Sequence, residues 1–223
     1  MGELADFVTT EFAALADPEA ALHMAAYMKS DMPFWGIKSP QRVPVLRAVV
    51  KGFPPTDEVA YRISVRELWD LPHREDKYAA IHYARAFKQH HTPAMLDLFE
   101  WMVRDGAWWD FVDDIASNLV GATWLRFRDE VSPIMDAWIT DDDMWIRRSA
   151  ILGQLKHRDA LDEARLFRYC RDQASDTEFF IRKAIGWALR QHAYVNPDGV
   201  RAFLDEMGDR LSGLSRREAA KHL

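Results

Sequence analysis

The sequence predicts an all-α fold, an α-solenoid of HEAT-like helical pairs that runs as one domain over residues 1–223. Three observations carry that reading. No run of alternating β-branched residues is bounded by turn dipeptides, so strands have almost no signal. Five of the ten prolines follow a residue that caps helices well. Similar segments also recur every 34 to 36 residues, the spacing of architectures built from two helices per unit.

The capping pairs predict helix starts at Asp17-Pro18, Ser39-Pro40, Thr92-Pro93, Ser132-Pro133 and Asn196-Pro197. A proline at the first helical position loses no ladder bond, and the side chain before it covers the orphan N–H groups. Pro44 lies one turn after Pro40 and predicts a kink or a late start. The recurring segments are Trp109-Asp110, Trp145-Ile146-Arg147-Arg148, Phe180-Ile181-Arg182-Lys183 and Leu214-Ser215-Arg216-Arg217, at steps of 36, 35 and 34 residues. Each opens a helical pattern, and the gaps hold a further helix at 129–140, 161–173 and 197–206. Leu71-Pro72-His73-Arg74-Glu75 falls about one period upstream, which makes five or six helical pairs. In such a stack the second helices line the concave side, so the basic pairs are expected to follow one another along it. Solvated arginines that only keep the surface soluble are the plainer alternative.

Totals exclude several classes. A single cysteine, Cys170, rules out an internal disulfide and fits a reducing compartment. The N-terminus lacks the basic and apolar regions of a secretory signal. No apolar run approaches the roughly 20 residues that span a bilayer. These features predict a soluble, cytoplasmic protein, taken as a monomer. The net charge of -6 argues mildly against nucleic acid, but residues 1–140 carry -7 of it and residues 141–223 are at +1. His73, His82, His90 and His91 make no zinc spacing, and neither a phosphate-binding loop nor a nucleophile elbow is present, so no metal or cofactor is expected. The run Asp141-Asp142-Asp143 sits at a helix start, where acids complement the dipole.

Two helices carry side chains off their core stripe. After residue 107, Trp108, Val112, Ile115, Ala116 and Leu119 form the apolar stripe, which leaves Trp109 and Asp113 together one step around. In 178–194, Ile181, Ala184, Ile185, Ala188 and Leu189 serve the core, while Lys183, Trp187 and Arg190 align at i, i+4 and i+7. An aromatic between two cations suits an anionic polymer, the cations taking phosphates and the ring packing on sugar or base. Cover by a neighbouring helix, or a cation–π contact within the helix, is the bland reading of either set.

The stretches GAWWDFVD, DMWIRRSAILGQLK, EFFIRKAIGWALRQHAYVNPD and LSRREAAKHL resemble the AlkD family of DNA alkylation repair glycosylases, and HMAAYMKSDMPFWGIKSPQR and ISVRELWDLPHRE fit it upstream. The resemblance runs from about residue 20 to the end. It implies a HEAT-like solenoid that cups duplex DNA and hydrolyses the N-glycosidic bond of N3- and N7-alkylated purines, such as 3-methyladenine and 7-methylguanine. The damaged base is not flipped into a pocket, and the product enters base excision repair. Residue by residue, it implies Trp109 and Trp187 against the lesion's deoxyribose and Asp113 at the sugar. Arg148 is matched to a backbone phosphate and Tyr27 to a DNA contact. Lys183, Arg190 and Arg147 are added as phosphate-binding candidates from their own patterning. The alternative is a non-catalytic scaffold of the same fold that binds DNA structures or proteins.

Overall fold

The computed structural model describes residues 2–223, which divide at His91/Thr92 into two compact units. The chain is all-α, as predicted, with no strand among the described residues.

The first unit holds α1 (Glu3–Ala14), α2 (Pro18–Met28), α3 (Ser39–Gly52), α4 (Glu58–Trp69) and α5 (Arg74–Ala86). Asp17 caps α2 as predicted, accepting from the Ala20 N–H at 3.0 Å. In α3 the first helical residue is Ser39 itself, with Lys38 before it, and the helix runs through Pro44 without ending. Pro44 therefore costs one ladder bond rather than a boundary. A core of Phe12, Tyr61, Leu68, Trp69 and Tyr83 is fully buried. At its side, the buried Glu75 carboxylate accepts from three successive backbone N–H groups, Trp35 at 3.0 Å, Gly36 at 2.9 Å and Ile37 at 3.0 Å. Gly36 is obligatory there: its φ is +81°, and a Cβ would fall 2.0 Å from the Asp17 carbonyl oxygen. The two upstream stretches of the family resemblance thus meet each other through a backbone knot.

The second unit is an α-solenoid. The first helix of its first pair is α6 (Leu96–Gly106). Its second-position helix begins as α7 (Trp109–Asp114), passes through a π-helical turn (Ile115–Val120) and continues as α8 (Gly121–Arg126). Then come α9 (Arg128–Trp138) with α10 (Met144–Leu152), α11 (Glu163–Asp172) with α12 (Phe179–His192), and α13 (Pro197–Met207) with α14 (Gly213–Ala219). The second helices pack on one another in order: the π-turn and α7 against α10, α10 against α12, α12 against α14. Their first residues reproduce the period read from the sequence.

Two further capping expectations are corrected. Thr92-Pro93 opens a short 3-10 turn, Pro93–Met95, and α6 starts only at Leu96. Ser132 lies inside α9, which begins four residues earlier; its hydroxyl accepts from the buried Trp124 Nε1 at 2.9 Å instead of capping. Asn196 does cap α13, accepting from Gly199 N–H at 2.9 Å. Trp108 is not on a helical stripe: it precedes α7, half-buried, its ring 5.6 Å from Phe180 and 6.1 Å from Trp145. Phe111, fully buried, takes the stripe position with Val112, Ile115, Ala116 and Leu119.

Candidate active site

All the elements of the site belong to the second unit, and the period of the repeat builds it. Because successive second helices pack side by side, residues one period apart become neighbours. Arg148 reaches back 35 residues to Asp113, and Lys183 reaches forward 35 residues to Glu218. Four charged side chains, Asp113, Arg148, Lys183 and Glu218, therefore line one pocket of about 360 Å³.

The aromatic walls are Trp109 from α7 and Trp187 from α12, both half-buried, with Phe179 and Phe180 at the start of α12. Arg190, one turn beyond Trp187, completes the rim. Trp109 and Asp113 share a face because they stand four residues apart on a helix, and Lys183, Trp187 and Arg190 share theirs for the same reason. Behind Phe180, Trp145 packs at 4.9 Å and fixes the α12 entry.

Arg148 is nearly inaccessible, at 4% exposure. Its Nε donates to Asp113 Oδ1 at 2.7 Å and its Nη2 to Oδ2 at 2.8 Å, while Nη1 donates to the Phe180 carbonyl. Such a two-pronged bond fixes the plane of the carboxylate as well as its position. Burial pushes the Asp113 carboxyl above its usual range; the bonds and charge of Arg148 pull it back, and Asp110 and Asp114 push it up again. The result is a carboxylate largely withdrawn from water beside two aromatic faces, where a developing positive charge is strongly felt. Lys183 and Arg190 supply positive charge on the other side, each bonded to Glu218, at 2.9 Å and 3.1 Å.

Of the residues singled out from the sequence, the structure brings together Trp109, Asp113, Arg148, Lys183, Trp187 and Arg190. Arg147 is not among them. It points into the loop before α10, donating to the carbonyls of Asp141 at 2.7 Å and Asp142 at 2.9 Å and pairing with Asp176 at 3.0 Å. The first two basic pairs thus divide their labour: Arg182 also turns back, to the Asp176 carbonyl. Tyr27 belongs to the first unit and is 78% exposed. Asp143 caps α10 through the Trp145 N–H at 2.8 Å, and Asp141 takes both prongs of Arg104, at 3.1 Å and 2.7 Å. Sequence reasoning missed Glu218, Phe179 and Phe180 as lining residues. Glu218 had a signal, since it stands one period beyond Lys183.

Among the described residues no group of three His, Cys, Asp or Glu side chains converges as a metal site. No described helix is long and apolar enough to cross a membrane. Residues 8–223 match the family model described as DNA alkylation repair enzyme. No curated protein matches the chain. Among solved structures it is similar to a predicted DNA alkylation repair enzyme from Enterococcus faecalis, with 30% identity over 93% of this chain and 96% of that one and a TM-score of 0.86.

Proposed function

The chain belongs to the DNA alkylation repair enzyme family, and from that premise we propose that it is a DNA glycosylase that hydrolyses the N-glycosidic bond of N3- and N7-alkylated purines in duplex DNA. The observation that carries the reading is the meeting of Trp109, Asp113 and Trp187 with Lys183 and Arg190 around one open pocket.

The chemistry asked of such a site is modest. A purine alkylated at N3 or N7 already bears positive charge and leaves readily. What remains is to stabilise the cationic sugar and deliver water. Asp113 sets a negative charge beside the developing oxocarbenium and orients or deprotonates the attacking water. Trp109 and Trp187 turn electron-rich faces to the same sugar. Lys183 and Arg190 take flanking phosphates, and Tyr27 takes a further DNA contact. Arg148, matched to a backbone phosphate by the resemblance, acts here on Asp113, whose carboxylate plane it fixes, and its 4% exposure leaves little of it for a phosphate to reach. The base stays unflipped, no cofactor takes part, and the protein works as a cytoplasmic monomer whose product enters base excision repair.

The test is release of alkylated base from methylated duplex DNA by the parent and by Asp113→Asn. Release by the parent and its collapse in the variant supports the reading. A folded parent that binds duplex and releases nothing makes the protein a scaffold instead.

A further inference from the structure

The helix α14 lies unusually close to α12. A Cβ built on Gly186 would fall 2.5 Å from the Glu218 Cβ and 2.9 Å from the Ser215 carbonyl oxygen, so only glycine admits this approach. Gly186 sits between Lys183 and Arg190 along α12, and Glu218 is thereby seated midway between the two cations. Its Oε1 accepts from Lys183 Nζ at 2.9 Å and Lys221 Nζ at 2.8 Å, and its Oε2 accepts from Arg190 Nη1 at 3.1 Å. The side chain is 12% exposed. Lys221 and Lys183 hold its carboxyl down to about 2, so it is charged at any working pH.

A carboxylate whose two oxygens bridge an ammonium and a guanidinium occupies the place of two phosphate oxygens. The cations assigned to the DNA backbone are therefore partly discharged before DNA arrives. We propose that Glu218 is a specificity-determining residue: it stands in for a phosphate between Lys183 and Arg190 and so holds down the affinity for undamaged duplex. An incoming phosphate has to share those donors with Glu218 and approach its charge. A nucleotide whose base carries positive charge meets two carboxylates, Asp113 and Glu218, lining the same pocket, and gains attraction that an ordinary nucleotide does not. Discrimination is the difference of those two affinities, and Glu218 lowers the wrong one. This inference rests on the glycosylase reading above.

The experiment compares the full-length parent with Glu218→Gln. It measures binding to an undamaged duplex across a salt series and single-turnover release of alkylated base from methylated duplex. The variant is expected to bind undamaged duplex about three- to tenfold more tightly, with a salt slope steeper by about one. Its selectivity, release efficiency relative to undamaged affinity, should fall. In a background carrying Lys183→Met and Arg190→Met the gain should vanish, since a stand-in needs the cations it occupies. Equal or weaker binding by a folded Glu218→Gln, or a gain that survives without the two cations, overturns the proposal. Should Glu218→Gln not fold, Glu218→Met keeps the chain length against Gly186 and is read the same way; failure of both to fold makes Glu218 structural and also overturns it. A parent that neither binds duplex nor releases base overturns the glycosylase reading, whereas an active parent with an unaffected variant overturns this inference alone.

Discussion

Two acids, one in each unit, lie in stretches that resemble the same family, and they do opposite things. Glu75 is 0% exposed, and its oxygens are occupied by the backbone N–H groups of Trp35, Gly36 and Ile37. Beside it, Asp76 accepts from Trp35 Nε1 at 2.9 Å and from the His73 N–H at 2.8 Å, and the Trp35 ring stacks on His73 at 3.7 Å. Nothing is left over for a ligand. Asp113 is 15% exposed, is held from behind by one arginine, and lines an open pocket. A shifted acid constant does not separate the two regions, because burial raises both Asp76 and Asp113. What separates them is whether the partners come from all sides or from one.

That contrast can be broken by mutation. The largest effect is expected at Glu75→Ala. Three backbone donors would lose their acceptor at about 1–3 kcal/mol each, partly relieved by water, for a net loss of about 3–5 kcal/mol. Denaturant titration measures it, and a loss below 1 kcal/mol would mean the knot is decorative. Asp113→Asn should reverse the pattern. Release of alkylated base should fall by about 10²–10³-fold, the cost of removing one charge-stabilising group, with about 1–3 kcal/mol of stability lost because Arg148 keeps only part of its partner. A variant that releases base at the parental rate would remove Asp113 from the chemistry.

Trp187→Leu keeps an apolar wall and loses the π face, so the release rate should drop about tenfold, near the 1–2 kcal/mol of a desolvated cation–π contact. Equal rates would make the ring mere packing. The pH profile offers the finest distinction. Since burial raises the folded-state Asp113 carboxyl above its ordinary value, activity should fail on acidification while free carboxyls are still ionised. Arg148 pulls that carboxyl down, so Arg148→Met should move the acid limb to still higher pH. The stability sign follows from the same shift. A raised carboxyl favours the fold below its unfolded value of 3.8, and that contribution fades as pH rises through the folded value. The stability gap between parent and Asp113→Asn should therefore narrow across that window, and a gap that widens would contradict the assignment.

Much of this was legible because a repeat converts spacing into proximity. Trp109, Arg148, Lys183 and Trp187 could be grouped from their period and their offset from the core stripe. Glu218 obeys the same period but hides among Arg216, Arg217 and Lys221, where a basic run draws the eye away from one acid. Local rules failed where a distant partner decides. Nothing near Ser132 says that Trp124 needs its hydroxyl, and nothing near Trp108 says that Phe180 and Trp145 will receive its ring. The pairing of Arg147 with Asp176 and of Arg148 with Asp113 is likewise a matter of which way each helix turns, to which adjacent arginines are blind. The family resemblance singled out Asp113 for the sugar and gave Glu75 no role, because Glu75's partners are backbone N–H groups 38–40 residues away that no motif displays.

The π-helical turn at Ile115–Val120 has one more consequence. Its ladder closes at i+5 rather than i+4, so it absorbs one residue beyond what an α-helix would take. It acts as a phase adjuster between two crankshaft journals. Downstream, Thr123 and Trp124 are locked in the core; upstream, Trp109 and Asp113 face the pocket. Were the same residues to take an ordinary ladder, with none removed, the upstream segment would rotate by about 100°. Helix content would barely change, and every side chain would survive. The acid would simply come around on the wrong stroke.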